Sequence, residues 1–410
     1  MAKTKRRSTS PAPAPEEFQA AYHNVRRFFP PSPLTFSPLV SELLGGNIYF
    51  KWDNKLRTGS FKERGAIHFL LALKARERAR GVCAASAGNH ALALSFYAKR
   101  LKAPCTIVMP VLAPLIKVQS SQRAGAEVIL HGNNFNEAYQ YAAKLARKRG
   151  LIFVPAFDHP LIIAGQGSAG IEILEQLPEV DSIVVPVGGG GLISGIAAAI
   201  KQRKKAVRVF GVQSEWAASW RKRKNPHELL FQAGTIADGI AVKHIGTVTG
   251  PVIKNYVDSM TTVTEDEIAN AIMRLLELER TVVEGAGAAA FAALLAGRIP
   301  KGAKNTVVMA CGSNIDMNIL SRLIERDMAK HARLLRIKVS LPDRPGSLHV
   351  VSGLLAEMRA NVLEVTHDRS FSKIPGNVDV SFLLEVRNKA HKLDILSRLR
   401  RVGLDIKEQL

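Results

Sequence analysis

The chain has 410 residues, 47% of them hydrophobic and 6% aromatic, with a formal net charge of +22. That length and apolar fraction allow two or three domains with sizeable cores and exclude a wholly disordered or fibrous chain. The charge invites a nucleic-acid reading, but aromatics are scarce and the cations are spread along the chain, so no nucleic-acid partner is expected.

The denser cationic runs, at 201–205 and 221–224, read as solvated surface. Cys83, Cys105 and Cys311 are too few and too scattered for a disulfide framework or a four-ligand zinc site, so free thiols in a reducing, cytoplasmic compartment are expected. The start of the chain is basic and then proline-rich, without the apolar segment of a secretory signal. Residues 183–200 carry no charge, yet Pro186 and four glycines from Gly188 make them strand, loop and helix, and no membrane span is expected.

Residues 1–17, with Lys3, Lys5, Arg6 and Arg7 followed by alternating prolines and alanines, read as a disordered basic tail. Residues 30–38 form an extended lead-in, and Asn47–Trp52 a strand. Apolar residues recur at helical spacing over 61–80. Strands at 81–85, 105–109, 127–130, 152–154, 182–187, 207–212 and 306–310 then alternate with helices at 117–124, 136–149, 166–175, 192–201, 265–279 and 285–295, and 86–90 opens a further helix. This alternation predicts parallel sheets wound on both faces, in two α/β lobes, with the site at the carboxyl ends of the strands. A linking helix at 321–333 follows the catalytic region, 18–320, and residues 334–410 read βαββαβ, a separate small domain.

Three stretches carry chemistry. Residues 58–66, TGSFKERGA, place Lys62 among small residues beside Phe61, as a Schiff base to pyridoxal 5′-phosphate requires; alone, the stretch reads equally as a capped helix start with a solvated lysine. Gly188, Gly189, Gly190, Gly191 and Leu192, between strand and helix, form a nest of amides suited to one phosphate monoester, or a turn for tight packing. Cys311, in CGSN at a strand end, can hydrogen-bond a pyridine nitrogen without protonating it, which favours elimination over transamination; core packing is the alternative.

With SAGNH (86–90), TIADG (235–239), HGNNFNEA (131–138), AGQGSAGIEI (164–173) and VVEGAGAAA (282–290), these motifs resemble the fold-type II pyridoxal phosphate enzymes, the tryptophan synthase β-like fold, and among them the threonine ammonia-lyases. The resemblance runs from about residue 38 to 320. It implies that Lys62 holds the cofactor covalently and serves as general base, and that Phe61 lies against the ring. Asn89 would meet the ring 3′-oxygen, residues 188–192 the phosphate, and Cys311 the ring nitrogen, with Glu284 nearby. Ser86, Gly88, Asn89 and His90 would surround the substrate carboxylate. The implied reaction is dehydration and deamination of L-threonine to 2-oxobutanoate and ammonia, and of L-serine to pyruvate.

A serine or hydroxyaspartate dehydratase or racemase is the nearest alternative. Racemising relatives place a serine where this chain has Ala87, and a methyl group carries no proton. A non-catalytic amino-acid sensor is the alternative of another class, against which the intact Lys62, Asn89, glycine loop and Cys311 count. Leu56 stands near a usual glutamine, and Ser313 where glycine or alanine is common. Gln213 stands where some racemase-like relatives have a cation-binding glutamate, so no metal is expected. Residues 334–410 resemble an ACT module, which implies an amino-acid effector near Asp343, Gly346 and Asn361 and pairing of copies into a dimer or tetramer.

Overall fold

The computed structural model describes residues 12–220, 234–369 and 374–409. Residues 1–11 of the expected tail and the cationic run at 221–224 lie outside the described residues. The chain divides into two compact units, Met1–Ile315 and Asp316–Leu410.

In chain order the strands of the first unit are β1 (Leu34–Phe36), β2 (Asn47–Trp52), β3 (Val82–Ala85), β4 (Cys105–Met109), β5 (Glu127–Leu130), β6 (Ile152–Phe153), β7 (Ser182–Pro186), β8 (Arg208–Ser214), β9 (Ser259–Val263) and β10 (Asn305–Ala310). They build the two expected lobes. One sheet, ordered β1-β2-β10-β7-β8-β9, is parallel except for its edge strand β1. The other, β5-β4-β3-β6, is parallel throughout. Every residue of β3, β4, β7 and β10 is buried, as strands covered by helices on both faces must be.

Three helices are packed backbone to backbone beneath the lysine: Lys62–Ala72, Pro160–Gln176 and Gly191–Lys201. A Cβ on Gly165 would lie 2.6 Å from Cα of Gly65, and one on Gly195 2.4 Å from the Ile163 carbonyl oxygen, so only glycine permits these crossings. The Pro160–Gln176 helix starts where His159 accepts from the Leu161 amide and Pro160 takes the first helical position.

A buried ionic cluster ties the first of these helices down. The Arg64 guanidinium is bidentate to Asp53 at 2.7 and 2.7 Å and to Glu172 at 2.8 and 2.8 Å, and Nζ of Lys51 reaches Glu172 at 2.6 Å. Two cations and two anions cancel. Burial pushes both carboxyls up, but the Arg64 guanidinium and then Lys51 outweigh it and hold Asp53 and Glu172 below the usual carboxylate range.

The structure departs from the sequence expectations in three places here. The helix expected over 61–80 is two, Lys62–Ala72 and Ala75–Arg80, because Leu73 is extended and the Lys74 amide donates to Glu77 as a new N-terminus. Residue 17, the expected end of the tail, falls within a helix, Pro15–Arg26. Phe18, Ala21, Tyr22 and Val25 recur on its inner face and pack against the Pro160–Gln176 helix, which the proline–alanine composition concealed. Finally, the compact catalytic unit ends at Ile315, and the linking helix runs Met317–Lys330.

The second unit has β11 (Leu334–Pro342), β12 (Asn361–Asp368), β13 (Asn377–Glu385) and β14 (Asp405–Gln409), in the antiparallel order β12-β13-β11-β14. With helices Ser347–Glu357 and Lys389–Arg401 this is the expected βαββαβ unit. Leu335, Ile337, Val339 and Leu341 alternate inward against Val351, Leu355, Ile395 and Leu399.

Replacing Arg64 by leucine leaves two buried carboxylates with one lysine and is expected to lower stability by about 3–5 kcal/mol. Urea unfolding of the protein without cofactor measures this, and a loss under about 1 kcal/mol would show that the cluster relaxes or hydrates instead.

Candidate active site

The lysine loop is stitched to the strand that carries the cysteine. Gly59, at φ +76°, turns the chain; the Phe61 amide donates to the Cys311 carbonyl at 3.0 Å and the Ser313 amide to the Gly59 carbonyl at 2.9 Å, with a β-bridge between Ser60 and Gly312. Lys62 is thereby held as the first residue of its helix. Behind it the buried Glu63 carboxylate accepts from the Thr58 amide and the Tyr97 hydroxyl.

Nζ of Lys62 donates to the Ala156 carbonyl at 3.0 Å and lies 5.0 Å from the centre of the Phe61 ring. Burial pushes its pKa from 10.5 down to about 8, against the opposing pull of Cys311 and Glu284. The buried Cys311 thiol is pushed well above its usual range by burial first, then by Glu284 and Asp53, so it stays neutral.

The loop after β3 meets these groups from the other lobe. Nδ2 of Asn89 donates to Oε1 of Glu284 at 2.7 Å, and its Oδ1 accepts from Nδ2 of Asn314 at 2.7 Å. Burial, then Asp238, raises the Glu284 carboxyl to about 7, while Asn89, Lys117 and the Asn314 amide pull it back. Lys117 reaches Asp238 at 2.6 Å. The Ser86 hydroxyl accepts from the amides of Gly88 and Ala91, each at 3.3 Å. Among the described residues the amides of Asn89 and His90 find no backbone acceptor, and they open a helix, Asn89–Arg100, whose positive end suits a carboxylate. The His90 ring itself turns away to the Val154 carbonyl at 3.2 Å, and burial, helped by Lys62, lowers its pKa to about 3. Only its backbone faces the expected position.

The glycine loop presents the features of an anion cradle. The amides of Gly188, Gly189, Gly190, Gly191 and Leu192 have no backbone acceptor among the described residues, although all but Gly188 are buried. Gly190 has φ +98° at the start of its helix. A phosphate monoester dianion fits this donor set, and the lysine, ring and thiol fit the rest of pyridoxal phosphate.

Sequence reasoning missed the segment that joins lysine to glycine loop. Ala156 accepts from Lys62, the Phe157 ring lies against Gly189, and Asp158 accepts from the amides of Thr247, Val248 and Thr249 at 2.8, 2.8 and 3.1 Å. Thr249 in turn donates from Oγ1 to the Gly189 carbonyl at 2.6 Å. Asp158, in a turn-like FDHP whose proline can open a helix, was the available signal. Gln213 uses its side chain on the Val187 carbonyl, Ser219 and the Trp220 amide.

In the second unit Asp343 and Gly346 line a cavity of about 470 Å³ together with Arg344, His367 and Arg369. Asn361 does not. It pairs with Glu385 at the opposite end of β12 and β13, so the structure of one chain does not bring the three expected effector residues together.

Comparison with known proteins agrees with this geometry. Residues 25–312 match the family of pyridoxal-phosphate dependent enzymes. The L-threonine ammonia-lyase of Thermotoga maritima is 43% identical over 395 residues, covering 96% of this chain and 98% of that protein. The processed form of threonine deaminase isoform 2 from Solanum lycopersicum superposes with a TM-score of 0.70 at 34% identity, over 79% of this chain and 93% of that one. Maize serine racemase superposes with a TM-score of 0.71 at 27% identity, over 78% and 99%. The chain therefore belongs to the pyridoxal-phosphate dependent enzymes of fold type II and, within them, to the threonine ammonia-lyases, with a C-terminal ACT-like unit.

Two measurements test the site. A free amine, not an ammonium, attacks an aldehyde, so cofactor uptake by the cofactor-free protein is expected to rise with pH and level off above about 8. Stopped-flow absorbance across pH reads this, and a midpoint near 10.5 would contradict the perturbed lysine. Gly189→Ala puts a Cβ 2.3 Å from a Phe157 ring carbon and is expected to weaken cofactor binding by about tenfold or more, read by equilibrium dialysis.

Proposed function

We propose that this chain converts L-threonine to 2-oxobutanoate and ammonia, and L-serine to pyruvate and ammonia. The observation that carries the reading is the Lys62 amine, lowered to about 8 and held between the Ala156 carbonyl and the Phe61 ring, together with an amide nest that has no backbone acceptor among the described residues. The name of the Thermotoga maritima relative supports threonine as substrate.

The chemistry supplied by pyridoxal phosphate, when bound, is an aldehyde for amines and a conjugated ring that accepts the electron pair left at the α-carbon. Lys62 would hold it covalently, residues 188–192 by its phosphate, Phe61 along the ring, Asn89 at the 3′-oxygen and Cys311 at the ring nitrogen. The neutral Cys311 thiol offers no charge to that nitrogen, which leaves the ring a moderate rather than a strong electron sink. Ser86 and the free amides of Asn89 and His90 hold the substrate carboxylate and so orient the α-hydrogen toward Lys62. With its pKa near 8, the Lys62 amine is basic enough to take that proton and acidic enough, once charged, to give it to the departing β-hydroxyl. One water leaves and one enters to release ammonia, so threonine divides into 2-oxobutanoate and ammonia without an oxidant. Ala87 offers no proton to the opposite face, which disfavours racemisation.

The reading extends to regulation. An amino-acid effector would occupy the cavity at Asp343 and Gly346, where Arg369 and Asp343, 3.3 Å apart, carry charges complementary to a carboxylate and an ammonium. Copies of the chain would pair into a dimer or tetramer and work in the cytoplasm, a location that three unpaired cysteines support.

The purified protein with cofactor is expected to release keto acid from threonine, and Lys62→Ala to release none above background. Keto acid from neither threonine nor serine would overturn the assignment. Calorimetric titration with the common amino acids tests the effector, with Arg369→Ala expected to weaken the responding one by about tenfold.

A further inference from the structure

An asparagine amide has a donor end and an acceptor end that exchange by a half-turn, and only one end suits a given ligand. Asn89 sits where both ends are claimed. The claim begins at a backbone atom: the Thr58 carbonyl can only accept, and it takes one N–H of Asn314 Nδ2 at 2.8 Å. The other N–H of that nitrogen goes to Oδ1 of Asn89 at 2.7 Å. Nδ2 of Asn89 is then left pointing at Oε1 of Glu284, 2.7 Å away. Each link is a donor facing an acceptor, and Glu284 can reverse the last of them only when its carboxyl carries a proton.

We propose that Asn314 is a positioning residue that sets the polarity of Asn89, so that an N–H and not a lone pair of Asn89 remains for the ring oxygen of the cofactor. The inference rests on the reading that Asn89 meets that oxygen. Asn314 does not touch the reacting atoms. It reads the orientation of the lysine loop through Thr58 and transmits it across the site. It is exposed and belongs to no hydrophobic cluster among the described residues, so its replacement removes polar links rather than apolar packing.

The test compares Asn314→Ala, which deletes the restraint, with Asn314→Asp, which places an acceptor before Asn89 and so opposes its present orientation. The readouts are the dissociation constant for pyridoxal phosphate, the absorbance of the bound cofactor across pH, and the melting temperature without cofactor. Expected is about tenfold weaker cofactor binding for alanine and about a hundredfold for aspartate, with a displaced absorbance midpoint in the aspartate variant. Melting temperatures are expected to stay within about 2 °C of the parent. Restoring a donor to the opposite side, by adding Glu284→Gln to Asn314→Asp, is expected to leave the absorbance displaced, because the reversed amide is then satisfied at both ends. Parental affinity and spectrum in both single variants would overturn the proposal, and so would equal losses that track melting temperature. A parent that binds cofactor but releases no keto acid would refute the proposed reaction and leave these shifts to decide the role of Asn314.

Discussion

Arg64 determines where Lys62 stands. Residues two apart on a helix point to nearly opposite sides, so a guanidinium locked inward leaves the lysine facing outward, toward the carboxyl ends of the strands. The lock is strong because it is geometric as well as ionic: two forks of the guanidinium meet two carboxylates that are fully buried. Its anions come from the turn just after β2 and from the Pro160–Gln176 helix, so one side chain fixes the lysine helix against the exit of a strand on one side and a helix on another.

From that fixed point the site is assembled by short polar links between distant parts of the chain. The Gly59 turn is laid on the exit of β10, which brings Cys311 beside the lysine. Ala156, Phe157 and Asp158 connect the lysine, the glycine loop and the start of the Thr249–Tyr256 helix within three consecutive residues. Asn89, from the lobe of the smaller sheet, is gripped by Glu284 and Asn314 from the lobe of the larger one. The perturbed groups share one physical cause: Lys62, Glu284 and Cys311 are each shifted first by loss of water, toward the uncharged form.

Much of this was legible from residue order. Buried strands announced themselves as short runs rich in Val, Ile, Ala and Cys, and the loops that follow β3, β7 and β10 were identifiable as the converging ones. Most of what escaped depends on a partner far away in sequence. The Pro15–Arg26 helix has an apolar face only because the Pro160–Gln176 helix is there to receive it. The break at Leu73 is a local cap within an uninterrupted apolar period, which periodicity passes over. Asn361 and Asp343 were grouped by a linear motif, yet antiparallel pairing carries them to opposite ends of the sheet. His90 belongs to its motif through its amide, while its ring serves the Val154 carbonyl.

The sequence by itself determined the two-lobed parallel architecture and the βαββαβ unit and singled out the lysine, the glycine loop and the strand-end thiol as candidates, because each is a local pattern of residue types whose physics needs few neighbours. The tertiary structure decided the charge states and orientations. A lysine near 8, a carboxyl near 7 and an asparagine held one way round exist only when burial removes water and partners from other strands supply, or withhold, a hydrogen bond.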